Sequence, residues 1–400
     1  MVICLTACSN GANKQPQKEH STPSEPTYSV TDKLKFKVDY MTEISPGTPG
    51  WWESGVEYSR IIELQYSQNG HNGVLLATFE ELNGGQVPEC GYPIHISFDK
   101  GKTWKKQGFV SDPRPLSAQW MPTLYELPQA LGELPAGTIL LAATSIGQGK
   151  TCNALYYSND LGKTWNFYSS IAVGGNYGQG RGLYEPFLVM LDDGTLVCHY
   201  ADETEKEDHS QRLVYKTTKD GKNWSEAVET VALKEKDYRP GMPVVTRLGD
   251  GRYFMVYELG NGDGYPVYCR YSSDGLDWGD PTDHGTLIKS EFLFGEKSLG
   301  SAPYCAWSPY GGEKGTLIVS GCYMKSGNSS TGTDYFVSND YGKTWKTMPH
   351  PIPYKRNHNK MGYSNGFCFS KSGEYLYAVN NPEGNTTGFS KIMFAAVKLH

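Results

Sequence analysis

One eight-residue pattern recurs along this chain and constrains its fold more than any other feature. Full copies occupy residues 97–104, 158–165 and 338–345, each with Ser, Asp, Gly, Lys, Thr and Trp in the same places, and shortened copies occupy 218–224 and 272–278. Such a pattern is typical of a hairpin turn in which Ser and Asp side chains bond backbone amides, Gly adopts a positive φ and Trp packs beneath. A turn repeated at wide spacing predicts a fold assembled from similar β-units.

A second repeat gives the length and number of those units. A glycine followed by an apolar strand pattern occurs six times, at intervals of 64, 57, 57, 64 and 58 residues: Gly73, Gly137, Gly194, Gly251, Gly315 and Gly373. Units of about 60 residues with strand and turn signals predict an all-β fold, a six-bladed β-propeller of four-stranded antiparallel blades over residues 30–400. We expect each of these glycines between the first and second strands of a blade, and each Ser-Asp-Gly-Trp turn between the third and fourth.

Composition excludes several other classes. The 46 Gly and 23 Pro argue against long helices, and 9 Trp, 28 Tyr and 14 Phe are too many for a disordered chain. The net charge of −6 comes without a basic block, which gives no support to a nucleic-acid or anionic-membrane surface. We expect the chain to be a monomer.

The first residues suggest a location. Residues 1–8 form a short apolar stretch ending in Leu-Thr-Ala-Cys, which resembles the lipobox of bacterial lipoproteins and implies lipidation of Cys8, export and a lipid anchor in the cell envelope. Residues 9–29 are polar and predict a flexible tether. The seven cysteines beyond Cys4 and Cys8 lack zinc-type spacing, so we expect buried free thiols, with one disulfide as the alternative.

Acidic residues recur where the predicted blades meet the central axis. The first strand of a blade starts on the face where its antiparallel second strand ends. Starts of first strands contain Arg60, Glu185 and Tyr363, and ends of second strands contain Glu80, Asp202, Glu203 and Glu258. Four of the six starts carry a residue followed by Pro, which fits the first residue of a strand.

Three of these glutamates suggest a reaction. Glycoside hydrolysis needs one carboxyl to protonate the leaving oxygen and another to attack the anomeric carbon or activate water. Neighbouring carboxylates raise the pKa of the acid. We therefore expect Glu185, Glu203 and Glu258 to meet at one mouth of the propeller.

Several segments carry a resemblance to a known family. They are residues 181–187, 200–203, 239–243, 253–258 and 362–364, and with the repeated turns, which are similar to the Asp boxes of sialidase-like propellers, they resemble glycoside hydrolase family 93, the exo-1,5-α-L-arabinanases. The resemblance implies a retaining exo-glycosidase acting on a plant-type polysaccharide. It implies Glu185 as acid/base, Glu258 as nucleophile, Glu203 as a further acidic residue and Tyr363 as a tyrosine beside the nucleophile.

Other residues near these segments are candidates for substrate contact. They are Arg60, Tyr184, Tyr257, Tyr304 and Arg239, since aromatic rings can stack on sugar faces and Arg60 resembles the first arginine of a sialidase pocket. No cofactor or metal is expected, because His95, His199 and His358 lack metal-ligand spacing.

Two alternatives stay open at this point. An exo-α-sialidase would use an arginine triad with a tyrosine nucleophile activated by a glutamate, roles that Arg60, Tyr363 and Glu258 could fill, with further arginines at positions 239, 270 and 356. No arginine lies between residues 301 and 354, where that pattern places the third. A non-catalytic glycan-binding propeller would keep the aromatics and lose the carboxylate pair, so the pair favours an enzyme.

Overall fold

A computed structural model describes most of the predicted β-domain. The described residues are 28–31, 34–46, 56–81, 91–115, 118–262, 264–290, 296–326, 329–331, 334–354, 363–364, 366–382 and 391–400. Cys8, Cys90 and His358 lie outside them, as does the predicted tether up to residue 27, whereas its last two residues already belong to the first strand. Within this part of the chain the only helix is a single 3-10 turn, Tyr177–Gln179, and no helix could span a bilayer.

Four consecutive antiparallel sheets follow two initial strands, β1 (Tyr28–Thr31) and β2 (Leu34–Ser45). Sheet 1 contains β3 (Val56–Glu63), β4 (Leu75–Glu81), β5 (Tyr92–Ser97) and β6 (Lys105–Val110). Sheet 2 contains β7 (Ala118–Glu126), β8 (Ile139–Gly147), β9 (Lys150–Ser158) and β10 (Asn166–Val173). Sheet 3 contains β11 (Leu183–Met190), β12 (Leu196–Asp202), β13 (Arg212–Thr218) and β14 (Val228–Val231). Sheet 4 contains β15 (Arg239–Arg247), β16 (Tyr253–Gly260), β17 (Val267–Ser272) and β18 (Thr286–Leu287).

The next part of the chain forms two interleaved sheets. An insert sheet contains β19 (Lys289–Ser290), β20 (Lys297–Gly300), β23 (Tyr323–Ser326) and β24 (Ser329–Thr331). Sheet 5 contains β21 (Tyr304–Ser308), β22 (Thr316–Ser320), β25 (Asp334–Ser338) and β26 (Lys346–Pro349). The insert sheet was not predicted from the sequence: β19 and β20 precede sheet 5, and β23 and β24 lie between its second and third strands.

Sheet 6 joins the two ends of the described chain. It contains β27 (Phe367–Phe369), β28 (Tyr375–Asn380) and β29 (Ile392–Leu399), and β29 pairs antiparallel with β2, for example Val38 with Val397, while β1 adds an edge strand. Sheet 6 therefore combines a strand from the start of the described chain with strands from its end.

Both predicted families of turns are confirmed. Gly73, Gly137, Gly194, Gly251, Gly315 and Gly373 all have positive φ and lie between the first two strands of sheets 1 to 6. The Ser-Asp-Gly-Trp turns lie between third and fourth strands. In the first, the amide of Gly101 donates to Ser97 Oγ at 2.7 Å, the amide of Thr103 donates to Asp99 Oδ1 at 2.9 Å, and the Trp104 indole donates to the Gly101 carbonyl. Their Asp residues therefore serve the turn and not a reaction.

The hydrophobic core lies between neighbouring sheets. For example, Leu140 and Leu155 of sheet 2 pack with Leu188 and Leu196 of sheet 3, and all four are at most 2% exposed. All six described cysteines are free thiols, and five of them are buried.

Each first strand has an unusual residue near its start. A non-glycine residue with φ between 46° and 60° lies near or just before the start of every first strand: Tyr58, Met121, Glu185, Met242 and Ser364, and in sheet 5 the adjacent residues Ser301 and Ala302. In sheets 1 to 4 the strand pairing shifts at this position, which is the signature of a β-bulge. Three of the four residue-Pro pairs that we expected to begin the strands therefore lie in bulges, where the missing N–H of Pro costs no ladder hydrogen bond. The fourth, Ala302-Pro303, directly precedes β21, as expected.

Candidate active site

The segments that carry these left-handed residues surround one small cavity. Its lining takes at least one residue from the first strand, or the segment just before it, of every one of sheets 1 to 6: Arg60, Met121, Glu185, Pro186, Phe187, Met242, Pro243, Val244, Pro303 and Ser364. A left-handed conformation costs a non-glycine residue about 1–3 kcal/mol and is retained where the surrounding structure enforces it, often at a functional site. We call the open end of this cavity, on the side of the bulges, the mouth.

Glu258 is fixed at the mouth by two donors. It lies near the end of β16, opposite Gly241 of β15, and is 4% exposed. Its Oε2 accepts hydrogen bonds from the amide of Ala302 at 2.8 Å and from Ser301 Oγ at 3.1 Å. Burial raises the pKa of Glu258, while these donors and the charge of Arg239 act in the opposite direction. The two donors hold the carboxylate in one orientation.

Glu185 lies on the neighbouring sheet in a different environment. It is the left-handed residue of β11, and its Oε2 accepts a hydrogen bond from the amide of Met242 at 2.7 Å. Burial and the charge of Glu258 raise the pKa of Glu185 to about 7, against the influence of Arg239. A carboxyl with that pKa is protonated in a large fraction of molecules near neutral pH, as a general acid must be.

The two carboxylates approach one point of the backbone. A Cβ atom built on Gly241 would lie 3.4 Å from Glu258 Oε1 and 3.6 Å from Glu185 Oε2. The two oxygens therefore lie no farther apart than the sum of these distances. That limit includes the separation of about 5–5.5 Å typical of retaining glycosidases and only the lower end of the inverting range of about 6.5–9.5 Å.

A third carboxylate forms the wall beside Glu185. Glu203 follows β12 and accepts hydrogen bonds from the Tyr184 hydroxyl at 2.9 Å and from the Arg239 guanidinium at 3.0 Å. The charge of Glu185 is the largest of the interactions that raise the pKa of Arg239. The structure thus brings the three predicted glutamates together, with Tyr184 and Arg239 between them.

Tyr363 also reaches the mouth. Its ring packs edge-on against Tyr58 at 5.4 Å, and its hydroxyl contacts the Met242 sulfur at 3.8 Å. Burial and the charges of Glu258 and Glu185 raise the pKa of Tyr363 well above its ordinary value. At neutral pH Tyr363 therefore presents a hydroxyl group and not a phenolate beside the carboxylates.

Arg60 and Tyr304 lie below the mouth, in the floor of the cavity. The guanidinium of Arg60 bonds the carbonyl and hydroxyl of Ser364 at 3.0 and 2.8 Å and stacks over the Tyr304 ring at 5.2 Å. Arg60 is 7% exposed and Tyr304 is 9% exposed. The contacts of Arg60 join sheet 1 to sheets 5 and 6, a structural role that the sequence analysis did not anticipate.

Tyr257 does not reach the mouth, which corrects its prediction as a substrate contact. It is fully buried, and its hydroxyl donates to the His284 carbonyl at 2.5 Å. Since adjacent strand residues point to opposite faces, the orientation of Glu258 toward the mouth directs Tyr257 into the core between sheets 3 and 4.

The structure does not assemble the arginine triad of the sialidase alternative from the described residues. Arg270 bonds the backbone carbonyls of Trp278 and Asp280 at 3.0 and 2.8 Å, within sheet 4, and Arg239 is paired with Glu203. Arg356 lies outside the described residues.

Two further residues of the mouth were missed in the sequence. Glu57, 2% exposed, is the register partner of Glu80 across β3 and β4, and the amide of Met121 donates to Glu80 Oε2 at 3.1 Å. Trp120 precedes the left-handed residue of β7, as Glu57 precedes that of β3. Alignment of the six strand starts on their bulges would have identified both. Among the described residues there is no group of three or more His, Cys, Asp or Glu that could hold a metal ion.

Comparison with known proteins gives the family and the fold. Residues 69–278 match the family model of the BNR repeat-like domain. No curated protein matches the chain. The α-L-arabinanase of Penicillium chrysogenum, whose structure contains arabinobiose, is 32% identical, with 89% of this chain and 98% of the other covered at a TM-score of 0.75.

Two other structures place the chain more broadly. The GH93 α-L-arabinofuranosidase of Fusarium graminearum with arabinobiose is 29% identical over 89% of this chain and 97% of its own, at a TM-score of 0.73. A Hadza microbial sialidase shares only 16% identity over 88% and 68% at a TM-score of 0.57, and so shares the fold. The fold is therefore the all-β propeller of the arabinanases, and the chain belongs to the BNR-repeat, sialidase-like superfamily as a glycoside hydrolase of the family 93 type.

Proposed function

We propose that this protein is a retaining exo-glycosidase that cleaves α-1,5-linked arabinan or a similar plant polysaccharide from a chain end, on a six-bladed propeller. The observation that carries the proposal is the pair Glu185 and Glu258, which share one mouth in unlike environments. The arabinobiose bound by the Penicillium and Fusarium enzymes supports an arabinose-containing substrate.

The environments of Glu185 and Glu258 suggest a different role for each. Glu258, held by Ser301 and Ala302, suits the nucleophile because its donors orient an anion. Glu185, with a pKa of about 7, suits the acid/base. Tyr363 suits a hydrogen-bond donor better than a nucleophile, because burial and the neighbouring carboxylates oppose its ionisation.

The reaction then takes two displacement steps. Glu258 attacks the anomeric carbon as the glycosidic C–O bond breaks, and Glu185 gives its proton to the leaving oxygen. Glu185, now ionised, takes a proton from water, whose oxygen displaces Glu258 from the anomeric carbon and restores both residues. The configuration at that carbon is retained because it is inverted twice.

Attack at a chain end is favoured by the shape of the site. Arg60 and Phe187 line the cavity below Glu185, and Tyr304 packs beneath Arg60. Because these side chains leave no room for a sugar beyond Glu185, a chain end suits the site better than the middle of a polymer.

The test is product analysis on linear arabinan beside a sialyl conjugate. We expect short arabinose products only, with NMR showing retention at the first product formed. Glu185→Gln and Glu258→Gln should each lose more than about a thousandfold in kcat and keep the fold, whereas Glu133→Gln, an exposed carboxylate paired with Lys222, should keep full activity. Full activity in both site variants, or release of sialic acid alone, would refute the proposal.

The lipid anchor is a separate proposal that rests on the Leu-Thr-Ala-Cys segment. Labelling with a palmitate analogue in a bacterial host should mark the wild-type chain and not Cys8→Ser, and the wild-type chain should fractionate with envelope membranes. Equal labelling of both would contradict it. Sedimentation should give the mass of a monomer.

A further inference from the structure

An aromatic pair stands at the mouth on the side of Glu185. The Trp120 ring contacts the Tyr177 ring edge-on at 5.3 Å, and Tyr177, in the 3-10 turn before β11, leaves 47% of its surface exposed. The other exposed large hydrophobics among the described residues are Met41, Tyr66, Phe98, Val173, Val228 and Tyr265. Trp120 is half-buried, so the pair presents one exposed ring supported by a second, and aromatic rings beside a concave site are typical of ligand contact.

The pair is held rigidly. The Tyr92 hydroxyl donates to the Trp120 carbonyl at 3.0 Å, and the next amide, of Met121, donates to Glu80. The turn that carries Tyr177 begins at Asn176, whose side chain accepts from the Gly178 amide at 2.9 Å, and ends at Gly180 in the left-handed region. Side chains on such a frame lose little conformational entropy when a ligand binds.

The pair is continuous with the catalytic residues. A Cβ atom at Gly182 would lie 3.1 Å from Tyr177 Cβ and would overlap the Tyr184 hydroxyl, which donates to Glu203. Met121, next to Trp120, lines the same cavity as Glu185. The aromatic surface therefore extends from Trp120 through Tyr177 to the wall formed by Tyr184 and Glu203.

We propose that Trp120 and Tyr177 bind the sugar unit on the leaving-group side of the scissile bond, a neutral pentose of the polysaccharide chain. The inference rests on the proposed function, because it takes Glu185 as the acid. An acid must stand beside the leaving oxygen. The pair lies on sheet 2 and on the turn leading to Glu185, whereas Glu258 lies on sheet 4. The Trp120 indole N–H, which donates to no described residue, is free to bond a sugar hydroxyl.

Comparing kcat/KM on two substrates distinguishes the contribution of this aromatic contact from that of the catalytic residues. An arabino-oligosaccharide has a sugar on the leaving-group side, whereas an arabinosyl fluoride has none and needs little acid assistance. We expect Trp120→Ala and Tyr177→Ala to lower kcat/KM on the oligosaccharide at least about tenfold and to change kcat/KM on the fluoride less than about twofold. Trp120→Phe, which keeps a ring, should recover most of the loss. Phe98→Ala, which removes an exposed aromatic from a turn at the opposite end of sheet 1, is the matched control and should change neither.

The outcomes distinguish a failure of the aromatic subsite from a failure of the proposed function. If the wild type turns over both substrates and the two alanine variants lose equally on both or on neither, the aromatic subsite is refuted and the proposed function stands. If the wild type turns over neither, both are refuted. Tyr177→Ala removes an exposed side chain and should fold. It therefore tests the subsite even if Trp120→Ala fails to fold.

Discussion

The raised pKa of Glu185 makes the proposed catalytic acid a source of instability, and Glu185→Gln should therefore stabilise the protein at alkaline pH. In the folded protein the pKa of Glu185 is about 7, against 4.5 for an ordinary glutamate. A factor of ten in proton affinity corresponds to about 1.4 kcal/mol, so the ionised carboxylate costs up to roughly 3 kcal/mol of folding free energy above pH 7.

The sign follows from proton linkage. A carboxyl whose folded pKa lies above its unfolded pKa binds the proton more tightly in the folded state. The contribution of the Glu185 carboxyl to the free energy of unfolding is fully present below pH 4.5, where Glu185 is protonated in the folded and the unfolded protein. It is lost as the pH rises through about 7. Gln has no proton to lose, and its amide oxygen can still accept from the Met242 amide. The difference in unfolding free energy between Glu185→Gln and wild type should thus grow by about 3 kcal/mol between pH 4 and pH 8.5.

Chemical denaturation at pH 4, 6, 7 and 8.5 measures this difference directly. For a chain of this length it corresponds to a shift of about 3 to 4 °C in the melting temperature. Glu133→Gln removes an exposed carboxylate and should give a difference that does not vary with pH by more than about 0.5 kcal/mol. A pH-independent difference for Glu185→Gln would show that Glu185 titrates normally, and the assignment of Glu185 as the acid would fall with it.

Three further changes test other parts of the structure. Ser301→Ala removes a donor that lowers the pKa of Glu258, so the acidic limb of the kcat/KM profile should move to higher pH, with kcat down about tenfold; an unmoved limb would contradict this. Gly241→Ala places a methyl group 3.4 Å from Glu258 Oε1, 3.6 Å from Glu185 Oε2 and 3.0 Å from the buried Gln211 amide nitrogen, so it should reduce kcat and lower the melting temperature by about 2 °C or less as Gln211 adjusts; unchanged kinetics on arabinan would show that the two carboxylates are not disturbed at this point. Asp99→Ala breaks the bonds of one Ser-Asp-Gly-Trp turn and should cost about 1–3 kcal/mol of stability with kcat intact, whereas a loss of kcat at full stability would give the turn a role in the reaction.

The sequence was most informative where residue type and backbone conformation are tied together. Gly73 and Gly101 mark turns because a positive φ is easy for glycine, and such turns fix both the strand order and the strand ends. Once the ends were placed, Glu185, Glu203 and Glu258 could be assigned to one face of the fold. The strand ends could be located because the turns recur at regular spacing along the chain.

The orientation of individual side chains was harder to predict. Tyr257 was assigned to the mouth because it neighbours Glu258, although strand alternation separates them. Met121 adopts a left-handed conformation that its residue type does not favour, so its side chain gives no indication of the bulge. The insert sheet was missed because its strands have two to four residues, too few for a period to show.

The pairing of β2 with β29 has a consequence for synthesis. Residues 34–45 leave the ribosome about 350 residues before their partners at 392–399, which at typical rates is roughly 20 to 70 s. During that interval Phe36, later 2% exposed, and the backbone of β2 on the side of β29 have no sheet to join. An unpaired edge is open to strands of other nascent chains. Until β29 has been made, β2 of each new chain therefore remains available for pairing with strands of other nascent chains.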